Sequence, residues 1–243
     1  MVAVDGGEVR TLGARVDGWV ERLRARRGWA LLAVNLRLFI GFALLPSGLK
    51  KVLGEPFTDP ANTGAFHDFL DAFHATGSFY TWVGVMQLGT ALLLMTQRHA
   101  TAGAALALPI FTTILVFCWS TGVVFTASVV TLIVLGLIFL LLWDLRAWRG
   151  LLAPTFGAGR EATTTPVSAS PVDLGLWARC GVGVLMLYAA ACLLQGGIYR
   201  PRGVELDNPA FYLFPVMLLL PIATWLVDRG RYRRGRRGVS SPG

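Results

Sequence analysis

The sequence predicts an all-α polytopic membrane protein of six spans: a four-helix transmembrane unit, then two further transmembrane helices, with both termini cytoplasmic. Three observations carry this. Hydrophobic residues make up 54% of the 243-residue chain and charged residues only 15%, against roughly 25% charged in ordinary soluble domains. Residues 101–143, a run of 43, hold no Asp, Glu, Lys or Arg, which is too long for one crossing at about 20 residues each. The third is the placement of the 22 basic residues, 20 of them Arg. A net charge of +8 and a pI of about 10.1 would point a soluble protein towards nucleic acid. With a mean hydropathy of +0.59, the charges are read by where they lie along the chain instead, and no nucleic-acid partner is expected.

Residues 1–28 form a basic N-terminal tail. It is too long and too acidic for the n-region of a signal peptide, and Arg37 would interrupt an h-region, so the first span is read as uncleaved. Residues 29–149 form the four-helix unit, with spans at 30–49, 79–96, 101–121 and 124–143 and an extracytoplasmic loop at 50–78. Ser120-Thr121-Gly122 is the break that turns the uncharged run into a hairpin. Residues 150–175, rich in Ala, Thr, Ser and Pro, read as a flexible cytoplasmic linker. Residues 176–227 form a second hairpin with spans at 180–198 and 210–227, and 228–243 a basic tail. Pro109, Pro215 and Pro221 fall inside spans, where kinks are tolerated if neighbouring helices satisfy the freed carbonyls.

Orientation follows from retention of Lys and Arg on the cytoplasmic side. Six arginines in the N-terminal tail, Arg98, three after the fourth span and six in the C-terminal tail give sixteen on one side. The other side has four: Lys50, Lys51, Arg200 and Arg202. Twelve of the sixteen lie in the two tails, so a bilayer with anionic headgroups is the expected partner.

The chain carries no recognisable redox centre of its own. Cys118, Cys180 and Cys192 lie within spans with no Cys-x-x-Cys among them, and read as small buried apolar residues. No phosphate loop, dinucleotide fingerprint, zinc signature or nucleophile elbow is present. His67, His74 and His99 lie outside the spans, where they would not ligate a b-type haem. No covalently bound cofactor, no metal and no autonomous catalysis are expected.

Polar residues inside spans narrow the candidates. Arg37 lies about two turns inside the cytoplasmic end of span one. Steps of four and seven residues place it on one stripe with Gly41, Gly48 and Lys51, with Ser47 beside. It is open to two readings: a polar pocket or anion contact, or snorkelling and a structural pair. Gln87, flanked by Gly84 and Ala91, suits an interhelical hydrogen bond. Trp119 and Ser120 end span three near the level of Lys50 and Lys51, while Trp143 and Trp148 bracket Asp144; interfacial Trp is usually an anchor. In the loop, Phe66, Phe69, Leu70 and Phe73 make an apolar helical stripe, with His67, Asp71 and His74 opposite. A helix lying in the membrane interface explains this pattern; a metal site and a proton relay are the alternatives.

The run Asn35-Leu-Arg-Leu-Phe-Ile-Gly-Phe-Ala-Leu-Leu-Pro-Ser-Gly-Leu-Lys-Lys-Val-Leu-Gly54 resembles the first helix and following turn of DoxX-like membrane proteins. The Phe66-x-x-Phe69-Leu70 segment, a second helix rich in small residues and the uncharged hairpin follow the same order over residues 30–148. Arg37, Ser47, Gly48, Lys50 and Lys51 are the family-like positions, and Gln87 stands where many members carry an acidic residue. The family is named for the membrane part of a thiosulfate:quinone oxidoreductase. The resemblance implies a DoxX-like four-helix bundle and a membrane subunit or accessory of a sulfur-, thiol- or quinone-linked redox system. It also implies a soluble or membrane redox partner protein and a prokaryotic cytoplasmic (inner) membrane. A quinone or small sulfur anion would sit in a cavity formed by Arg37, Ser47, Gly48, Lys50, Lys51, Gln87 and Trp119. A non-enzymatic scaffold or assembly factor is the rival reading, and a small-solute transporter a third.

Overall fold

In hydrocarbon, every backbone N–H and C=O needs a partner, and a helix supplies it within its own segment. The computed structural model describes residues 18, 20–59, 61–145, 171–200 and 206–239, and every regular element among them is helical. After a short helical stretch at 20–25 come α1 (Arg27–Val52), α2 (Ala65–Ala75), α3 (Ser78–Met95), α4 (Ala100–Ser120), α5 (Val124–Trp143), α6 (Leu174–Gln195), a 3₁₀ turn (Pro209–Tyr212) and α7 (Leu213–Val239). Six helices are long and apolar enough to cross a membrane: all but α2, with α7 taken together with the turn before it. The predicted number of spans holds, and the chain is a polytopic membrane protein.

The boundaries show where local chemistry overrides a hydropathy reading. The uncharged run does break at the predicted place: α4 ends at Ser120, and Gly122, at φ 72°, makes the turn into α5. Span five begins at Leu174 instead of 180. Asp173 caps it, its carboxylate accepting the Leu176 N–H at 3.0 Å, and the exposed Arg179 side chain reaches back to the Gly175 carbonyl at 3.3 Å. It ends at Gly196, at φ 67°, before the predicted 198. The predicted tail from 228 is helical as far as Val239. Residues 1–17 of the predicted N-terminal tail and 150–170 of the predicted linker lie outside the described residues.

Packing is tightest between α1 and α3. A Cβ added at Gly84 would lie 2.8 Å from the Gly48 carbonyl oxygen and 2.9 Å from the Val52 nitrogen, so the two backbones touch. Gly41 meets the Met95 side chain in the same way. Ile40, Leu44, Ala91, Leu94, Leu137 and Leu140 are sealed inside the first four spans. The last hairpin, α6 with α7, leans on this unit through α1 and α3, with Gly181 seated against the Met95 carbonyl. The outer wall is apolar: Phe125 and Leu193 are each 82% exposed and Leu132 69%, a surface suited to acyl chains.

Ion pairs gather the start of α1, the ends of α5 and α7 and the start of α6 at one end of the bundle, here termed the arginine-rich end. Arg27 pairs with Asp228 at 2.6 Å, Arg24 with Asp144 at 3.3 Å and Arg231 with Asp173 at 2.7 Å. The Asp173 N–H also donates to Asp228 Oδ1 at 2.9 Å, tying α6 to α7.

Two outcomes follow. Gly84→Ala is expected to destabilise the bundle by about 1–3 kcal/mol through overpacking. Gly89→Ala, on the same helix with nothing within 4 Å of the new Cβ, should be neutral or stabilising by up to about 1 kcal/mol. Melting in detergent, followed by tryptophan fluorescence, reads both. The Leu176 N–H, and then Arg231, hold the Asp173 carboxyl below its ordinary value of 3.8. A folded value below the unfolded one contributes stability that is present above the ordinary range and lost as pH falls through the folded value. Asp173→Asn should therefore melt lower at neutral pH and converge on the parent as the medium is acidified through the carboxylate range.

Candidate functional site

Two polar groups lie inside the bundle, one at each end of α1. At the arginine-rich end, Arg37 is 6% exposed. Its Nη2 donates to Asp144 Oδ2 at 2.8 Å and its Nη1 to Gln97 Oε1 at 3.4 Å. Thr101 Oγ1 donates to the same Asp144 oxygen at 2.8 Å, and Arg24 Nη2 donates to Asp144 Oδ1 and to the Trp143 carbonyl. One carboxylate therefore joins arginines from α1 and from the stretch before it with a hydroxyl from α4. Gln97 reaches this group from the α3–α4 turn, where its backbone adopts φ 59°, a left-handed conformation uncommon for a residue with a side chain. Its amide also donates to the Val34 carbonyl at 3.4 Å. Of the two readings open for Arg37, the geometry is that of a structural pair.

At the other end, Lys51 is 6% exposed on the last turn of α1. Its ammonium donates to Ser47 Oγ at 2.8 Å and to the Ser47 carbonyl at 3.3 Å, one turn back. The Ser47 hydroxyl in turn donates to Gln87 Oε1 on α3 at 3.3 Å. This is the interhelical hydrogen bond that Gln87 suited, made possible by the close approach at Gly48 and Gly84. Aromatic rings cover the rest: the Lys51 ammonium lies 4.7 Å from the Phe57 ring centroid and 5.6 Å from that of Tyr80. The Arg200 guanidinium lies 5.5 Å from the same Phe57 ring. Tyr80 is fixed by donating to the Glu55 carbonyl at 2.9 Å. No carboxylate pairs with Lys51 among the described residues.

The residues expected to share one cavity are thus divided. Ser47, Lys51 and Gln87 come together, with Gly48 as the packing surface beneath them. Arg37 stands fourteen residues away along α1, about 21 Å of helix. Lys50 turns to the Pro56 carbonyl at 2.7 Å. Trp119 is 53% exposed, and its indole N–H donates to Thr131 Oγ1 at 3.4 Å across the α4–α5 hairpin. Sequence reading missed Asp144, Gln97 and Thr101 around Arg37, and Phe57, Tyr80 and Arg200 around Lys51. Asp144 had a visible signal, since it is the charge that ends the long uncharged run.

The loop helix α2 packs its apolar stripe on the bundle: Phe66 and Phe69 lie with their ring centroids 5.2 and 4.6 Å from Phe117 of α4. Its polar side is used singly. His74 Nε2 lies 3.0 Å from the Gly54 carbonyl oxygen, and Asp71 accepts the Thr58 hydroxyl at 2.9 Å. Among the described residues no three of His, Cys, Asp and Glu gather as metal ligands. Comparison of the chain with models of known protein families, with curated proteins and with solved structures gives no match.

Removing one side of a buried ion pair strands the other charge and costs about 3–5 kcal/mol, more than replacing both by apolar groups. Asp144→Leu, which strands both Arg37 and Arg24, is expected to lower stability more than Arg37→Leu does. The double variant should recover part of the loss. A loss in the double variant equal to the sum of the two single losses, measured by melting in detergent, would show that the pair is not energetically coupled.

Proposed function

We propose that the protein is a DoxX-like integral membrane subunit or accessory of a redox system linked to sulfur, thiol or quinone chemistry. In this reading the Lys51 end of the bundle receives a small anion or the carbonyl oxygen of a quinone. The observation that supports it most is a buried ammonium with no carboxylate partner among the described residues. A cation taken out of water costs several kcal/mol unless something offsets the loss, and rings and a hydroxyl offset only part of it. Ser47 accepts two of the three Lys51 donors, which leaves one for an oxygen of a ligand. Gln87 matters because it is neutral: a carboxylate there would cancel the charge. With both termini cytoplasmic, as the arginine count favours, the Lys51 end faces the extracytoplasmic side; the resemblance implies that the membrane is a prokaryotic inner one.

A scaffold or assembly factor is the second reading, and Arg37 favours it. The charge most in need of an explanation is spent on holding α1 to Asp144, an architectural task.

Binding of thiosulfate and of a short-chain ubiquinone to the detergent-purified chain separates the two readings. A charge-assisted hydrogen bond contributes about 1.5–3 kcal/mol, so Lys51→Met should weaken binding of the accepted probe by about 10- to 150-fold with little change in melting. If neither probe binds the parent, or the variant binds as well as the parent, the redox-site reading is wrong. Unaltered capture of a partner oxidoreductase by Lys51→Met would then favour the scaffold.

A further inference from the structure

Between the first turns of α1 and residues 225–233 of α7, at the arginine-rich end, lies a cavity of about 560 Å³. Its cationic wall comes from α7. Arg229 and Arg233 stand four residues apart and share a face. Trp225, four residues before Arg229, lies on that face too, its ring centroid 5.4 Å from the Arg229 guanidinium. From α1 comes Arg27, which lies 4.5 Å from the Tyr232 ring centroid and donates to Asp228 at 2.6 Å. Asp228 therefore compensates Arg27. Arg229 and Arg233 have no such partner among the described residues, so two positive charges face the cavity.

Two further features set what the cavity suits. Gly28 borders it from α1, and a Cβ added there would meet nothing within 4 Å, so a longer side chain has room to enter. On α7 the same face continues away from the arginines as Ile222 and Leu218, 53% and 57% exposed. Leu218, Ile222, Trp225, Arg229 and Arg233 thus form one stripe that passes from apolar, through aromatic, to cationic. This is the order of environments along a phospholipid, from acyl chain through the interface to phosphate.

We infer that this cavity is a discrete seat for one anionic phospholipid. The phosphate lies between Arg229 and Arg233, whose guanidinium forks suit its oxygens, and an acyl chain lies along Ile222 and Leu218. A free oxyanion would meet the same arginines but gain nothing from the apolar lane, so the geometry favours the lipid. The seat is at the opposite end of α1 from Lys51, and it stands whether or not the redox reading does.

Native mass spectrometry of the full chain in neutral detergent, titrated with phosphatidylglycerol, phosphatidylcholine and inorganic phosphate, tests this. One phosphatidylglycerol per chain is expected to bind more tightly than phosphatidylcholine and to resist displacement by millimolar inorganic phosphate. The double variant Arg229→Gln/Arg233→Gln should weaken it about thirtyfold, from the usual contribution of an interfacial basic residue. Gly28→Leu should weaken it comparably by filling the opening while leaving every charge in place. Arg98→Gln, an exposed arginine at the same end, should change nothing. Any of three results would overturn the seat. Arg98→Gln weakening binding as much as the double variant would mean diffuse attraction. Displacement by inorganic phosphate would mean a soluble-anion site. Full binding by a folded double variant would mean that the lipid sits elsewhere.

Discussion

α1 and α3 meet backbone to backbone, and most of the interior depends on that contact. Gly48 and Gly84 remove the side chains that would hold the helices apart, and only at that separation does the Ser47 hydroxyl reach Gln87. The same pairing brings the end of α3 beside the start of α1, so that Gln97 in the following turn reaches Arg37 and the Val34 carbonyl. In hydrocarbon there is no water to be released by bringing apolar helices together, so close van der Waals fit and interhelical hydrogen bonds supply the attraction. One crossing supplies both.

The two ends of the bundle handle charge differently. At the arginine-rich end Asp144, Asp173 and Asp228 each take an arginine from another element. At the other end Lys51 has a hydroxyl, a carbonyl and two rings. The first arrangement locks helices together. The second leaves a cation whose solvation shell has been replaced by weaker partners, and this is the better place to look for a ligand.

Much of this was legible in the sequence, and the failures share a cause. The stripe of Arg37, Gly41, Gly48 and Lys51 could be read because helical periodicity is local, and Gln87 announced its hydrogen bond by interrupting an apolar helix beside small residues. Arg37 kept two readings because its partner lies 107 residues away, and nothing local links a basic residue in one span to the acid that closes another. The expected start of span five at 180 falls just after Arg179, yet that arginine lies inside α6. A long side chain at the interface can stay in the helix and direct its head outward, and the real boundary is the capping carboxylate of Asp173. Lys51 stood out in the sequence, but its surroundings, Phe57, Tyr80 and Arg200, come from the loop after α1, from α3 and from beyond α6, which no spacing rule connects.

The separation of Arg37 from Asp144 also has a consequence in time. A chain made from its N-terminus lays down the arginine of the first span four helices before the aspartate that receives it. During that interval the guanidinium is within about two turns of the headgroups, close enough to remain solvated there. It can settle into the bundle only when α5 arrives and Asp144 closes the group. The ion pair thus marks a point of completion: the first span is fully committed to its buried position once the fourth has been made.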